Sequence, residues 1–189
     1  MDVTSVADNR MFTAANVPLA GIRIERAWAM PNRWTFTIRP IARLLERYVG
    51  DGKAWIDPFA GEYSPAEFTN DLNPKRRARF HMLAEEFCTM FDGPFEGVLF
   101  DPPYSLRQIK ECYEGIGFKV NQSDTQSNFY ARVMDVICGK IRPGGYAISF
   151  GWNSNGFGRN RGFEVVEVLL VPHGQHRNDT IVTVEVKRR

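Results

Sequence analysis

Hydrophobic and polar positions follow two patterns along this chain, one with the period of a helix and one of short continuous apolar runs. Apolar residues recur at every third or fourth position over 38–48 and over 128–138, which predicts a helix in each segment. The turn Gly50-Asp51-Gly52 ends the first of these helices. A further helix is predicted to begin at Asn73-Pro74 and to run through about Met90.

Short apolar runs bounded by turn residues predict the strands. They cover residues 53–57, 67–70, 97–100, 146–150, 163–171 and 180–186, with a tight turn predicted over 142–145. Strands that are apolar throughout and alternate with helices form a parallel sheet covered by helices on both faces. Only a hairpin loop, 172–179, separates the last two strands, so one strand is predicted to be antiparallel. The pattern therefore predicts an α/β fold with a mostly parallel sheet.

Length and composition restrict the class of protein. The chain has 189 residues, enough for one domain with a sizeable core, and its apolar (43%) and charged (24%) fractions are typical of soluble globular proteins. No apolar run approaches the ~18 residues of a membrane span, and the polar N-terminus does not resemble a secretory signal. Three widely spaced cysteines, Cys88, Cys112 and Cys138, predict free thiols in a reducing compartment. We expect a cytoplasmic protein with no membrane partner.

The charge distribution favours nucleic acid only weakly. The net charge of +2 is too small to indicate a nucleic-acid-binding protein by itself. Arginines outnumber acidic residues in the first fifty positions, and 75–79 is a basic cluster. Basic side chains that neutralise phosphates release counterions, so such clusters favour nucleic acid. For the 75–79 cluster taken alone, a solvated helix face is the preferred interpretation.

The main chemical signal follows the strand predicted over 97–100, in the residues Asp101, Pro102, Pro103 and Tyr104. The two prolines fix φ and remove two backbone donors, which leaves a rigid strand end with free carbonyl groups. The Asp101 carboxylate and the Pro102 carbonyl can then accept both N–H groups of an aromatic amine and turn its lone pair towards a methyl donor. Tyr104 can stack on an extruded base. The alternative interpretation is a strand-terminating turn without a chemical role.

Two further acidic residues end predicted strands upstream. Asp57 precedes the tight turn Pro58-Phe59-Ala60-Gly61, where backbone can approach a ligand and the acid can bind a cationic amino group. Asp71 ends the next strand and can bind ribose hydroxyls. Ligands of open parallel sheets bind beyond the carboxyl ends of the strands, so these acids and Asp101 are predicted to lie at one edge. The chain lacks the GxGxxG turn of dinucleotide sites.

The order of these motifs resembles one enzyme family. DPFAG (57–61), then NDLNP (70–74), then DPPY (101–104) is similar to the amino-group DNA methyltransferases, the adenine-N6 and cytosine-N4 class. Specifically, it resembles the members in which the cofactor motif precedes the catalytic motif. The resemblance extends upstream to Phe36-Thr37-Ile38-Arg39-Pro40-Ile41 and downstream through 143–152, so it covers roughly residues 34–187.

The resemblance implies a Rossmann-like, seven-stranded methyltransferase sheet that uses S-adenosylmethionine and methylates N6 of adenine in DNA by direct in-line transfer. We expect an N-terminal arm over 1–30 and a single methyltransferase domain over 31–189. Asp101, Pro102, Pro103 and Tyr104 are then catalytic. The expected cofactor contacts are Asp57, Pro58, Phe59, Ala60, Gly61, Asp71, Leu72, Phe36, Thr37 and Arg39. An Asp in the first position of DPPY favours adenine, because the cytosine enzymes usually have a Ser there.

The glycine turn departs from the FxGxG pattern of the family, because Glu62 and Tyr63 follow Gly61. We expect Glu62 or Tyr63 to contribute there instead, and Leu83 to pack on the adenine ring of the cofactor. No insertion is long enough for a separate target-recognition domain. Recognition of the polymer is therefore expected from the N-terminal arm, the 105–128 segment and the 152–161 loop.

Two other functions remain open. RNA and protein-glutamine methyltransferases carry related [DN]PP[YF] motifs, and a catalytically degenerate fold would only bind nucleic acid or a partner subunit. DNA is the expected partner, and an oligomer or a specificity subunit is compatible with the sequence. His81, His173 and His176 have no cysteine nearby, so no metal site is predicted. No cysteine lies in a context suited to attack on a cytosine ring.

Overall fold

The computed structural model describes residues 21–103, 127–174 and 177–188, with only the backbone described for 127–129. In this part of the chain, seven strands form one sheet with the order β1-β6-β7-β5-β4-β2-β3. The strands are β1 (Arg23–Arg26), β2 (Trp55–Asp57), β3 (Phe68–Thr69), β4 (Phe95–Phe100), β5 (Ile141–Gly151), β6 (Phe163–Val171) and β7 (Thr180–Lys187). The helices are α1 (Arg39–Tyr48), α2 (Ala84–Met90) and α3 (Ser127–Cys138), with 3-10 turns at Thr35–Thr37 and Arg159–Arg161.

The sheet has the predicted direction pattern. β7 is antiparallel to both of its neighbours, β5 and β6, and the other four strand pairs are parallel. β6 and β7 pair from Phe163↔Lys187 to Val171↔Thr180, so the short connection leaves no room for a crossover helix. This confirms the predicted α/β fold, a mostly parallel sheet with one antiparallel strand.

The two faces of the sheet bury separate hydrophobic clusters. α1 packs on one face, where Leu99 and Ile148 of the sheet are fully buried. α2 and α3 cover the other face, where the alternate residues Val98 and Ala147 are fully buried. Side chains alternate between faces along a strand, so β4 and β5 supply both clusters. The predicted helical cover on both faces is therefore present.

The edge strand β1 lies within the segment expected to be an N-terminal arm. It pairs in parallel with β6, from Arg23↔Glu167 to Arg26↔Leu170. The sequence pattern does not reveal this strand, because an edge strand has only one neighbour and can leave apolar residues exposed. The Ile24 side chain, for example, is 70% exposed. The remainder of the expected arm, residues 1–20, lies outside the described part of the chain.

The helix predicted over 73–90 is present only in its last third, as α2. The prediction is wrong for the first two thirds of the segment. The Asp71 carboxylate accepts the backbone N–H of Asn73 at 2.8 Å, which holds a turn that competes with a helix. Farther along, the backbone N–H of Phe80 donates to the Thr69 carbonyl at 3.0 Å, so the chain returns to the edge of the sheet. The turn predicted over 142–145 is a bulge inside β5, between two stretches that both pair with β4.

No helix in the described ranges combines the length and the apolarity of a membrane span. Cys88 and Cys138 are free thiols, as predicted, and Cys112 lies outside the described residues.

Candidate active site

A cavity of about 460 Å³ opens at the carboxyl ends of β2, β3 and β4, the edge at which a ligand was predicted. Four short segments supply most of its wall: 33–36, 58–63, 71–73 and 101–103. Arg76, Leu83, Ala84 and Tyr130 complete it. Chain segments far apart in sequence therefore meet because parallel strands present their carboxyl ends on one side.

Most of the residues singled out in the sequence line this cavity. They are Phe36, Pro58, Phe59, Ala60, Gly61, Asp71, Leu72, Asp101, Pro102 and Pro103. Leu83, expected against an adenine ring, lines it too, as do Glu62 and Tyr63. Tyr104 lies outside the described residues.

Thr37 and Arg39 do not line the cavity, although both were expected to contact the cofactor. The Thr37 hydroxyl donates to the Trp34 carbonyl at 2.9 Å and accepts from the Asn32 side chain at 2.6 Å, so it is used within its own turn. Arg39 is the exposed first residue of α1. Trp34 and Thr35, which directly precede Phe36, line the cavity instead.

Asp57 lies directly beneath the glycine turn and is fully buried. One carboxylate oxygen accepts the backbone N–H of Phe59 at 2.9 Å, and the other accepts the Ser64 hydroxyl at 2.6 Å. Burial raises the pKa of Asp57 to about 8, against the lowering effect of those two hydrogen bonds. Asp57 does not line the cavity, so its contacts make it the anchor of the turn.

The glycine turn is fixed between the ends of β2 and β3. Gly61 has φ 58°, a conformation that favours glycine, and its N–H donates to the Asp71 carboxylate at 3.1 Å. The buried Asn70 side chain donates to the carbonyls of Pro58 and Met82 at 3.1 and 3.0 Å. These bonds hold the backbone of the turn against the cavity, as expected of a ligand-binding loop.

Asp71 faces the cavity from the end of β3. Burial raises the pKa of its carboxyl, and the N–H groups of Asn73 and Gly61 and the charge of Arg76 act in the opposite direction. The carbonyl oxygen of Asp71 lies 2.9 Å from Nδ1 of His81. The backbone and the carboxylate of this residue are thus both held in place.

Asp101 and Pro102 follow the end of β4 and line the cavity. The Thr35 side chain makes a hydrogen bond with the Asp101 carboxyl, whose pKa burial raises to about 7. The Pro102 carbonyl accepts no hydrogen bond from the residues that the structure describes. Asp101 and Pro102 are adjacent in sequence and both line the cavity, so a carboxyl group and a main-chain carbonyl group belong to the same part of its wall.

An aromatic cluster supports this strand end from below. The Tyr130 hydroxyl donates to the Pro103 carbonyl at 2.8 Å. Its ring packs edge-on against Phe59 and Phe100, with ring centroids 5.9 and 6.4 Å apart. The sequence placed Tyr130 in a predicted helix without a functional role, because a helical position gives no sign of a contact with a distant strand end.

The rim of the cavity combines aromatic and basic side chains that the sequence did not identify as a group. The guanidinium carbons of Arg33 and Arg76 lie 4.6 and 4.9 Å from the Trp34 ring centroid. Tyr63 packs edge-on against the same ring at 5.6 Å and is 52% exposed. Trp34 also lies 3.8 Å from where a Cβ on Gly61 would stand, so it covers the glycine turn.

The 152–161 loop, predicted to contact nucleic acid, is only partly exposed. Phe157 is 1% exposed and packs against Phe100 with ring centroids 5.5 Å apart. The buried Glu185 carboxylate accepts the backbone N–H groups of Phe157 and Gly158 at 2.6 and 2.9 Å. Trp152, at 46% exposure, is on the outer side of this anchored loop.

The described residues contain no group of three His, Cys, Asp or Glu side chains arranged to hold a metal ion. His173 is buried and uses both ring nitrogens, with Nδ1 2.9 Å from the Ala29 carbonyl and Nε2 2.8 Å from the Thr180 hydroxyl. His176 lies outside the described residues.

Comparisons with known proteins agree on the fold. No protein-family model and no curated protein sequence matches the chain. TrmN from Thermus thermophilus matches with a TM-score of 0.53 and 18% identity over 79% of this chain, which spans about half (49%) of the TrmN chain. The 1,6-didemethyltoxoflavin-N1-methyltransferase from Burkholderia thailandensis, solved with 1,6-didemethyltoxoflavin and S-adenosylhomocysteine, matches with a TM-score of 0.53 and 16% identity, covering 80% of this chain and 78% of that one. The chain therefore has a Rossmann-like methyltransferase fold.

Proposed function

We propose that this protein is an S-adenosylmethionine-dependent methyltransferase that methylates the N6 amino group of adenine in DNA. The observation that carries the proposal is that the neighbouring residues Asp101 and Pro102 both line the cavity, and that the Pro102 carbonyl accepts no hydrogen bond from a described residue. These two groups are acceptors for the two N–H groups of one exocyclic amine. Accepting both bonds favours a tetrahedral nitrogen, and positioning then supplies much of the reduction in the barrier.

The residues around the cavity fit S-adenosylmethionine. A volume of about 460 Å³ is in the usual range of small-molecule sites. The Asp71 carboxylate faces the cavity for ribose hydroxyls, and Leu72 and Leu83 offer apolar walls for an adenine ring. Asp71 and Asp101 give the interior an acidic character that suits a cationic ligand. When bound, this cofactor supplies an electrophilic methyl group on a sulfonium.

The S-adenosylhomocysteine bound in the toxoflavin methyltransferase supports the choice of cofactor, since the two chains share a fold. The choice of adenine and of DNA has a different basis. It depends on the order DPFAG, NDLNP, DPPY and on the Asp in the first position of the last motif. The same pair of acceptors also fits an adenine in RNA or a glutamine amide, so the experiment compares all three polymers.

The test is a transfer assay with methyl-labelled S-adenosylmethionine and, separately, duplex DNA, total RNA and cell protein. We expect label in DNA, reduced at least ~100-fold in kcat by Asp101→Ala, as for the loss of a preorganised polar contact. Asp92→Ala is the matched control, because Asp92 is exposed and is not part of the cavity wall. Label confined to RNA or to protein would overturn the DNA assignment, and label in no polymer would overturn the enzyme assignment.

A further inference from the structure

We propose that Arg33 and Arg76 form a phosphate clamp at the mouth of the cavity, which binds a phosphodiester of the nucleic-acid substrate beside the nucleotide that enters. The inference rests on the proposed function and adds to it the residues that recognise the polymer. The sequence placed that task in the N-terminal arm, the 105–128 segment and the 152–161 loop.

The two arginines come together on one tryptophan ring. Arg33 precedes α1 and Arg76 follows β3, yet both line the cavity and both lie against the ring of Trp34. Stacking on a tryptophan face limits the conformations of each guanidinium before a ligand binds. Less side-chain entropy is then lost on binding, which favours a defined site over a diffuse basic surface.

The guanidinium groups of Arg33 and Arg76 are available to a ligand. Among the described residues, neither Arg33 nor Arg76 forms an ion pair with a carboxylate, and the charge of Arg76 acts on Asp71 only from beyond ion-pair distance. By contrast, Arg47 pairs with Glu167 and Arg161 with Asp135, each at 2.6 Å. The five N–H donors of each rim guanidinium therefore remain for a ligand, and planar guanidinium groups bind phosphate oxygens in pairs.

Charge differs in sign between the interior and the rim of the cavity. Two acidic residues, Asp71 and Asp101, line the interior of the cavity, whereas the rim carries two arginines. A cationic cofactor fits the interior and is repelled by the rim, so the rim serves a second, anionic ligand. Thr35, which bonds to Asp101, is two residues from Arg33, so that anion lies close to the group presented to Asp101. A nucleotide in a polymer brings such an anion with it.

The altered glycine turn supports the same arrangement. Tyr63 occupies the position of the second glycine in the family pattern and packs edge-on against Trp34 at 5.6 Å. An aromatic pair of this geometry contributes about 0.5–1.5 kcal/mol beyond its buried area. Tyr63 therefore braces the ring on which both arginines lie, which gives the departure from the glycine pattern a structural reason.

The test measures how salt weakens the binding of a short fluorescent DNA duplex, with S-adenosylhomocysteine present. We compare wild type, the double variant Arg33→Gln/Arg76→Gln and the control Arg43→Gln/Arg77→Gln, which removes the same charge from exposed positions off the cavity wall. Each phosphate contact contributes about 0.9 to the slope of log affinity against log salt concentration. Because the clamp variant lacks two such contacts, its slope should be smaller than that of wild type by about 1.8. Between about 50 and 200 mM salt, its loss of affinity should then be about tenfold smaller than that of wild type. The control should keep the slope of wild type.

Parallel measurements separate the possible failures. The same measurement with single-stranded DNA and with RNA shows which polymer the clamp prefers. For single strands each phosphate contact contributes about 0.7 to the salt slope. Binding of S-adenosylhomocysteine should stay within about threefold of wild type in both double variants. Equal salt slopes for the two double variants would overturn the inference. So would a loss of S-adenosylhomocysteine binding in the clamp variant that matches its loss of DNA binding. Methylation of protein together with no binding of any oligonucleotide would also overturn it. Clamp-dependent binding without a methylated base supports the clamp and overturns the proposed function.

Discussion

The hydroxyl of Tyr130 donates a 2.8 Å hydrogen bond to the carbonyl oxygen of Pro103. This bond joins α3 to the rigid strand end that presents Asp101 and Pro102 to the cavity. Two prolines remove backbone donors, so β4 cannot fix its own end through a ladder. A side chain from a helix on one face of the sheet does so instead, and the catalytic geometry proposed above depends on that support.

Removal of the Tyr130 hydroxyl should therefore impair catalysis more than cofactor binding. Tyr130→Phe keeps the ring that packs on Phe59 and Phe100 and loses the bond to Pro103. We expect kcat to fall about tenfold. The lost hydrogen bond accounts for about 1 kcal/mol, and displacement of the two acceptor groups accounts for the rest. Steady-state kinetics and calorimetric binding of S-adenosylhomocysteine measure both quantities. An unchanged kcat would show that the bond has no positioning role.

The activity should rise with pH through about 7. Burial raises the pKa of Asp101 to about 7, and only the ionised carboxylate offers full acceptor capacity to an amine. In wild type, kcat/KM for DNA should increase across this range and level off above it. Asp101→Asn retains one carbonyl acceptor, so it should keep residual activity and lose the inflection. A profile of kcat/KM over about pH 5 to 9 measures both, and an identical inflection in the Asn variant would assign the titration to another group.

Stability should change with pH in the opposite direction because of Asp57. Its folded-state pKa of about 8 exceeds its ordinary value of 3.8, so the folded state binds more protons between these values. The free energy of unfolding contributed by this group is therefore present at low pH and is lost as the pH rises through about 8. Asp57→Asn keeps an acceptor for the Phe59 N–H and a partner for Ser64. Thermal unfolding should show a weaker decline from about pH 5 to 9 in this variant than in wild type.

The loop after β5 should tolerate no added methyl group at Gly156. A Cβ there would stand 1.9 Å from a carboxylate oxygen of Glu185, the group that holds Phe157 and Gly158. Gly156→Ala should lower the free energy of unfolding by about 1–3 kcal/mol, as overpacking does. Gly139→Ala is the matched control, since nothing lies within 4 Å of its added Cβ. Similar denaturant midpoints for the two variants would contradict the assigned role of Glu185.

The sequence predicted the elements that bury apolar runs and missed those held by polar contacts. β4 follows from its apolar run, β6 from apolar residues interrupted only by Glu164 and Glu167, and α1 from the spacing of its apolar residues. The segment after Asp71 looked helical because the competing bond from its carboxylate to Asn73 has no periodic signature. Edge strand β1 pairs with only one neighbour and exposes Ile24, so its pattern resembled an arm.

The site was predictable to the extent that it follows strand ends. Asp71, Gly61 and Asp101 could be placed at one edge because parallel strands end together. Arg33 and Arg76 could not be grouped, since Trp34 brings together two segments whose separation in sequence gives no hint of contact. Asp57 was expected at the cofactor, yet its carboxylate is used by Phe59 and Ser64 beneath the turn.

The most direct test of the central claim is mass spectrometry of nucleosides from duplex DNA that the protein has methylated. The acceptor pair of Asp101 and Pro102 predicts N6-methyl-2′-deoxyadenosine as the product with wild type, and its loss with Asp101→Ala. Methylation at a ring atom, or the same yield of N6-methyl product from the Asp101→Ala variant, would contradict the account.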